Sequence, residues 1–336
     1  MKPFMTIDDH PLLEVCDLRV EFVDEHRRVR ANRGVSLTVR RGELLAILGE
    51  SGSGKSVCAQ AIIGLLGSDA DVCAEALRFD GTDVRGLTEH AWRQWRGRRI
   101  SMIFQDSLAS LNPVFTVGWQ IAEVIRAHAD IGRREARRRA IALLDRVRVP
   151  EPERRAAQYP HELSGGMRQR AMIAMALAME PELLLADEPT TALDVTVQRE
   201  IMELLRELQE ARGLAVVLIT HDIGVVAEVA DRVVVMYAGE VVEEGRVADV
   251  LDTPCHPYTE GLIASLPDAG DDAELVAIPG APPDLEQETR GCAFAPRCVY
   301  AQAVCREEAP PLALVGGAHR SACHFWPRVG GGPADG

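Results

Sequence analysis

The stretch "LLAILGESGSGKS", Leu44 to Ser56, decides how this chain is read. Five apolar residues run into Gly49-x-x-x-x-Gly54-Lys55-Ser56, and an amphipathic segment, "KSVCAQAIIGLLG", follows at once. Strand, glycine-rich turn and helix in that order are the context in which G-x-x-x-x-G-K-[ST] binds phosphate. The glycines let backbone N–H groups along Gly49, Ser51, Gly52, Ser53 and Gly54 close around a β-phosphate at the helix N-terminus. Lys55 is placed to reach the β- and γ-phosphates, and the Ser56 hydroxyl to hold Mg²⁺.

Working outward, residues 12 to 48 alternate apolar and polar, as in "LLEVCDLRVEF" and "GVSLTV", and read as antiparallel strands leading into the buried run. Residues 116 to 180 read mostly as helix, with apolar residues three and four apart in "VGWQIAEVIRAHA", "REARRRAIALLDRV" and "MRQRAMIAMALAM". Then come a buried strand in "ELLLAD", a helix in "TVQREIMELLRELQEA", a buried strand in "LAVVLIT" and a hairpin in "DRVVVMYAGEVVEEG". Buried strands alternating with helices give an α/β fold around a parallel sheet. After about residue 252, Pro and Gly increase and periodicity weakens, which marks a separate C-terminal segment. No internal repeat is visible, so the chain carries one nucleotide-binding unit.

Composition narrows the setting. Charged residues are 26% and hydrophobic residues 47%, the balance of a water-soluble globular chain. No apolar run is long enough to span a bilayer. "MKPFMTIDDHPLLEV" has no signal-peptide core, so a cytoplasmic location is expected, with any membrane work done by docking to other subunits. A net charge of −14 argues against a nucleic-acid partner. The local run "GRREARRR", Gly132 to Arg139, reads as a solvated helix face.

Two further segments carry chemistry. "LLLADEP" is an apolar strand ending in Asp187, placed to hold Mg²⁺, and Glu188, placed to polarise a water for in-line attack on the γ-phosphate. His221 ends "VVLIT"; alone it would pass for a structural histidine, but the C-terminal edge of such a sheet is where ligands bind.

With these residues in hand, residues 12 to 250 resemble the ATP-binding cassette (ABC) ATPases. The resemblance rests on the loop 49–56, Gln105 in "IFQD", "LSGGM" at 163–167, "LLLADE" at 183–188, "TALD" at 191–194 and His221, in family order. It implies a RecA-like core with an antiparallel β subdomain and a helical subdomain at about 110–180, within a domain spanning 12–252. It also implies that two subunits pair head to tail, Ser164, Gly165 and Gly166 of each meeting the γ-phosphate held by the other. A helix N-terminus attracts anions, so ATP between two of them acts as an adhesive. By the same resemblance Asp194 belongs to the nucleotide site, Gln105 links Mg²⁺ and the attacking water to a membrane partner, and Phe22 stacks on adenine. The alternative reading of Phe22 is a core strand residue. The family's fifth signature residue is usually Gln where this chain has Met167, which removes one polar contact and leaves the backbone contacts intact.

"QDSLASLNPVFTVGWQIAE", "TPCHPYTEGLIASLP" and the tail "GCAFAPRCVYAQAVCREEAPPL…HRSACHFW" narrow the resemblance to ATPases of dipeptide and oligopeptide importers. That branch implies two permease subunits, a second ATPase that is a paralogue, an extracytoplasmic binding protein, and a peripheral place on the cytoplasmic face of the membrane. Importers of nickel, opines or glutathione, and soluble ABC ATPases, are the alternatives. The C-terminal extension is expected over 253–328, with flexible termini at 1–11 and 329–336. Four of the eight cysteines crowd it: Cys292, Cys298, Cys305 and Cys323. Their spacings match neither zinc pairs nor ferredoxin runs. Four thiols in a Pro-rich segment suit a [4Fe–4S] cluster, Zn²⁺ (with His319 and His324 nearby) or no ligand, and the matching tail implies the cluster.

Overall fold

The computed structural model describes residues 10–24, 27–106, 110–191, 193–265, 277–287 and 289–329. The expected flexible ends, part of "QDSLASLNP" and Ala192 of "TALD" lie wholly or largely outside them.

The four most apolar runs make the centre. Strands β3 (Leu44–Leu48), β8 (Leu183–Asp187), β9 (Ala215–Thr220) and β10 (Arg232–Tyr237) are buried almost throughout. A strand covered on both faces has no polar side to show, which is why these read as continuous rather than alternating. With β7 (Ile100–Ile103) they form the parallel part of an eight-stranded sheet, in the order β10-β3-β9-β8-β7. Beyond β10 the sheet turns antiparallel through β11 (Glu240–Arg246), β13 (His319–Ser321) and β12 (Ala313–Gly316). The last two strands come from the C-terminal segment, so that segment completes the sheet.

The alternating N-terminal runs form a sheet of their own. β1 (Leu13–Val23) and β2 (Arg28–Val39) pair antiparallel, and β1 also pairs with β4 (Ala70–Cys73) and β5 (Ala76–Phe79). Its inner face packs on the parallel sheet and on helix α1 (Lys55–Ile62), with Leu13, Val15, Leu18 and Val20 fully buried.

A second core lies under the helices. α3 (Val117–His128), α4 (Arg133–Arg146) and α6 (Gly165–Ala176) gather Ile121, Ile125, Ala140, Leu144, Met172 and Ile173 against α7 (Val195–Arg212). α7 shows how local sequence sets such an element. Asp194 caps its start by accepting from the Val197 N–H at 3.0 Å, and Gly213 ends it at φ 65°. Ile201, Met202, Leu204, Leu205 and Leu208 bury one face; each contributes roughly 1.5–3 kcal/mol. The basic run lies on α4, where Arg138 and Arg139 are exposed and both pair with Glu135.

The C-terminal segment is fastened by Glu243 of β11, which is 0% exposed. Its carboxylate accepts from the Cys255 N–H at 2.6 Å, the His256 N–H at 3.1 Å and His319 Nε2 at 2.7 Å. Cys255 Sγ lies close to the Glu243 oxygens and His319 Nε2. The thiol's own hydrogen bond runs to the Thr253 carbonyl at 3.4 Å. Tyr237, Tyr258 and Phe294 pack around one another in tilted and edge-on contacts, with ring centroids 4.6–5.5 Å apart, beside this latch.

Candidate nucleotide site

Sheet order explains the site. β3, β9, β8 and β7 are successive neighbours, so the segments leaving their C-terminal ends lie side by side along one edge. Those segments carry the phosphate loop, His221, Asp187 with Glu188, and Gln105. The topology thus assembles residues scattered from position 49 to 221.

The loop wraps tightly because glycine permits it. A Cβ on Gly49 would strike the Met236 carbonyl, and one on Gly54, at φ 94°, the Ala31 carbonyl. Lys55 is buried, and burial pushes its ammonium below its ordinary range despite the nearby charges of Glu188, Asp187 and Glu50. Its Nζ donates to the carbonyls of Gly49 and Glu50, each at 2.7 Å, and to Ser53 Oγ at 3.3 Å. Ser56 Oγ donates to Asp187 Oδ1 at 2.9 Å. Burial raises the Asp187 pKa, with the Ser56 hydrogen bond opposing it. A hydroxyl and a buried carboxylate meeting beside the loop form an oxygen donor pair suited to Mg²⁺.

Glu188 sits at φ 43°, an uncommon conformation for a side chain of its size; such backbone costs on the order of 1–3 kcal/mol and persists where surroundings hold it. They do so here. Its N–H donates to the Ile219 carbonyl at 2.9 Å, and its carboxylate accepts from Gln105 Nε2 and Thr191 Oγ1, each at 2.8 Å, and meets His221 Nδ1 at 3.2 Å. Burial alone would raise the Glu188 pKa. The Thr191 and His221 hydrogen bonds and the charges of His221 and Lys55 outweigh it and hold the group below the usual range, so it is a carboxylate at neutral pH. His221 is 61% exposed, open to a ligand arriving at the edge.

The other expected residues lie elsewhere. Ser164 is exposed and caps α6 by accepting from the Met167 N–H at 3.3 Å. Gly165 and Gly166 pack on the start of α7: a Cβ on Gly166 would come within 2.8 Å of Val197. Asp194 is exposed at the same place. Among the described residues no hydrogen bond joins this signature to the chain's own phosphate loop. Met167 packs its side chain against the helical core. Phe22 is half-buried in β1 against the sheet-side core, beside Val29 and Ala70.

Sequence reading missed Glu50, Tyr258 and Arg297. The Glu50 N–H donates to Tyr258 Oη at 2.7 Å, and the Arg297 guanidinium grips the Glu50 carboxylate. The "HPYT" around Tyr258 drew notice only as a family match; nothing local pairs positions so far apart.

The four tail cysteines converge. Cys292, Cys298, Cys305 and Cys323 line one cavity of about 20 Å³, walled by Phe294, Tyr300 and Phe325. The Phe325 N–H donates to Cys323 Sγ at 3.4 Å, and backbone N–H groups also reach Cys292 and Cys298. Burial pushes the Cys292 thiol up to about 11 and Cys323 up to about 12. Among the described residues, no three of these sulfurs lie all within 4.8 Å of one another. A zinc–thiolate tetrahedron with bonds of about 2.3 Å needs sulfurs about 3.8 Å apart.

Comparison with known proteins follows this geometry. A family model described as ABC transporter matches residues 32–191, and one described as oligopeptide/dipeptide transporter, C-terminal region, matches 242–305. A putative peptide import ATP-binding protein of Brucella abortus is 49% identical over 308 residues, covering 91% of this chain and 93% of that protein. The chain belongs to the ABC transporter ATP-binding family. The oligopeptide transport ATP-binding protein OppD of Bacillus subtilis is 50% identical over 311 residues, covering 92% and 87% of the two chains. Among solved structures, the ATP-binding cassette MJ0796, a dimer in a post-hydrolysis state with ADP and Pi, superposes with TM-score 0.62 at 31% identity, over 70% of this chain and 98% of that one. The cbiO1 protein of Clostridium perfringens gives 0.60 at 29%, over 73% and 92%. The ABC ATPase fold expected from the sequence is the fold found, and the chain is an ATPase of MgATP. No helix among the described residues is long and apolar enough to cross a membrane.

Proposed function

We propose that this chain is the ATP-hydrolysing subunit of a binding-protein-dependent importer of di- and oligopeptides. The observation that carries the reading is a complete nucleotide edge joined to a C-terminal region of oligopeptide-transporter type, through shared strands of one sheet. We divide the chain into an ATPase domain at 12–252 and an extension at 253–328.

In this reading the loop N–H groups and Lys55 hold the phosphates, Ser56 and Asp187 hold Mg²⁺, and Phe22 faces adenine. Mg²⁺, when bound, offsets charge on the phosphate oxygens. Glu188 accepts the proton of the water that attacks the γ-phosphorus as the bond to the bridging oxygen of ADP breaks. Gln105, Thr191 and His221 keep its carboxylate aimed. Ser164, Gly165, Gly166 and Asp194 act on the site of a second ATPase, a paralogue; Ser164 and Asp194 are exposed, and their hydrogen bonds are local helix caps rather than contacts to this chain's own loop. Hydrolysis removes the charge that joined the pair.

Partner docking has its own support. Phe104, Val114, Phe115 and Trp119 are exposed just after β7 and at the start of α3, with Phe115 stacked on Trp119 at 4.1 Å. Trp119 also lines a cavity of about 710 Å³ with Glu123, Arg126 and Arg137. Exposed apolar patches of this kind mark interaction surfaces. We assign this one to a permease, which places the chain at the cytoplasmic membrane face.

The tail pocket we assign to a [4Fe–4S] cluster. Four thiols lining one cavity, with backbone N–H groups on the sulfurs, fit that donor set. The central space is only water-sized, so seating the cluster requires the pocket to widen. Mild-detergent purification of the tagged chain from its native membrane tests the assembly. Two permeases, a second ATPase and a peptide-binding protein are expected; ribosomal or DNA-repair partners without a membrane subunit would remove the transport reading.

A further inference from the structure

Arg297 lies in the turn between Cys292 and Cys298, yet its guanidinium ends at the phosphate loop. Nη1 donates to Glu50 Oε2 at 2.7 Å and Nη2 to Glu50 Oε1 at 3.2 Å, a two-pronged charge pair. The remaining hydrogens go to the Pro279 carbonyl at 2.8 Å, the Ile278 carbonyl at 3.4 Å and Tyr237 Oη at 3.4 Å. The side chain is 4% exposed and lies over the rings of Tyr237 and Phe294. Every donor is used, so the guanidinium has one seat.

Glu50 is held from its other side as well. Its N–H donates to Tyr258 Oη at 2.7 Å, and Tyr258 is fully buried. Its carbonyl, with that of Gly49, receives Lys55 Nζ. Side chain and amide of one loop residue are thus fixed by the C-terminal segment, while its carbonyl holds the lysine that meets phosphate.

We infer that the C-terminal extension is a working part of the nucleotide site, and that Arg297, with Tyr258, is a positioning residue holding the phosphate loop through Glu50. Two physical effects converge. Anion binding by backbone N–H groups depends on loop shape, and a loop fixed beforehand does not lose that ordering on binding. Glu50 also places a carboxylate within an anion-binding loop. Paired with Arg297 it is neutralised and turned away; unpaired, it adds a negative charge beside the nucleotide. A buried ion pair contributes little net stability compared with apolar residues of the same shape, so stability alone is a weak reason for one here. The inference does not depend on what the four thiols hold.

The test is equilibrium binding of MgATP and MgADP to the full chain, with the nucleotide-free melting temperature recorded alongside. Arg297→Gln is expected to weaken both nucleotides about tenfold, the order of one lost charge-assisted pair. Arg297→Lys, which keeps the charge but loses the fork, should lose about threefold, and it carries the test if the first variant does not fold. In a Glu50→Gln background either Arg297 substitution should change affinity little further, because Arg297 acts through that carboxylate. Unchanged affinity in a folded Arg297 variant would overturn the inference. So would an equally large further loss on substituting Arg297 in the Glu50→Gln background, because that outcome marks general loosening of the extension.

Discussion

The nucleotide edge and the thiol pocket lie against the same sheet, but they are built in opposite ways. At the edge the functional side chains already have partners from the protein: Lys55 rests on two carbonyls, Ser56 on Asp187, and Glu188 on Gln105, Thr191 and His221. These bonds can be exchanged for bonds to phosphate and Mg²⁺ without leaving a buried group unpaired. The pocket has no such substitutes. Its sulfurs face one another among aromatic rings with only backbone N–H groups for company, and burial raises Cys292, Cys298 and Cys323. An edge of the first kind suits a ligand that comes and goes in each cycle. A pocket of the second kind suits one that stays.

The largest expected effect breaks the cycle at the edge. Glu188→Gln keeps the size of the side chain and can keep its contacts to Gln105 and Thr191, but it cannot accept a proton. Turnover should fall at least about a hundredfold while MgATP binding is retained. Phosphate release and equilibrium binding on the same sample check this. Turnover within a few-fold of the unaltered chain would remove Glu188 as the base.

Cys298→Ser probes the other half of the comparison. The proposal expects loss of bound iron and sulfide, a melting temperature lower by roughly 5 °C or more because ligand binding is linked to folding, and a smaller change in ATP affinity. Chemical analysis for iron, sulfide and zinc decides the occupant. Iron and sulfide unchanged by the substitution would take Cys298 out of the ligand set, and zinc in their place would replace the cluster.

The two regions also differed in how far the sequence revealed them. Chemistry at the edge is local: Gly49 to Ser56, "LLLADE" and "VVLIT" each join a strand to the turn that carries its functional residue, so one stretch shows both. Even the strained Glu188 declares itself as the residue after an apolar strand. The extension depends on long-range pairing. Arg297 meets Glu50, and Glu243 collects Cys255, His256 and His319, through contacts that no periodicity records. β12 and β13 are too short to stand out as strands, although the Gly316-Gly317 step between them, with Gly317 at φ 53°, is a turn signal that could have been read. Glu243 and Glu244, adjacent charges in the hairpin, are buried beside those added strands.

The smallest effect separates the extension from the edge by pH. His256 is 1% exposed; its Nδ1 accepts from the Tyr258 N–H at 3.1 Å, and burial pushes the imidazole down to about 3. An unfolded histidine titrates near 6.5. The folded pKa is therefore depressed: the stability it contributes is fully present above about pH 6.5 and is lost as pH falls toward 3, at about 1.4 kcal/mol per unit. Glu188, whose pKa is held below the usual carboxylate range, adds its own loss only below about pH 4.3, so it contributes no such term between pH 6.5 and pH 5. Melting curves of the full chain should thus weaken from pH 6.5 toward pH 5, with the His256 region loosening first. His256→Asn supplies an oxygen that can accept from the same N–H but takes up no proton. It should flatten the acid slope, even if it lowers the melting temperature by a constant amount at every pH. An unchanged slope in that variant would place the acid sensitivity in another group and leave Tyr258, and with it Glu50, seated independently of the charge on His256.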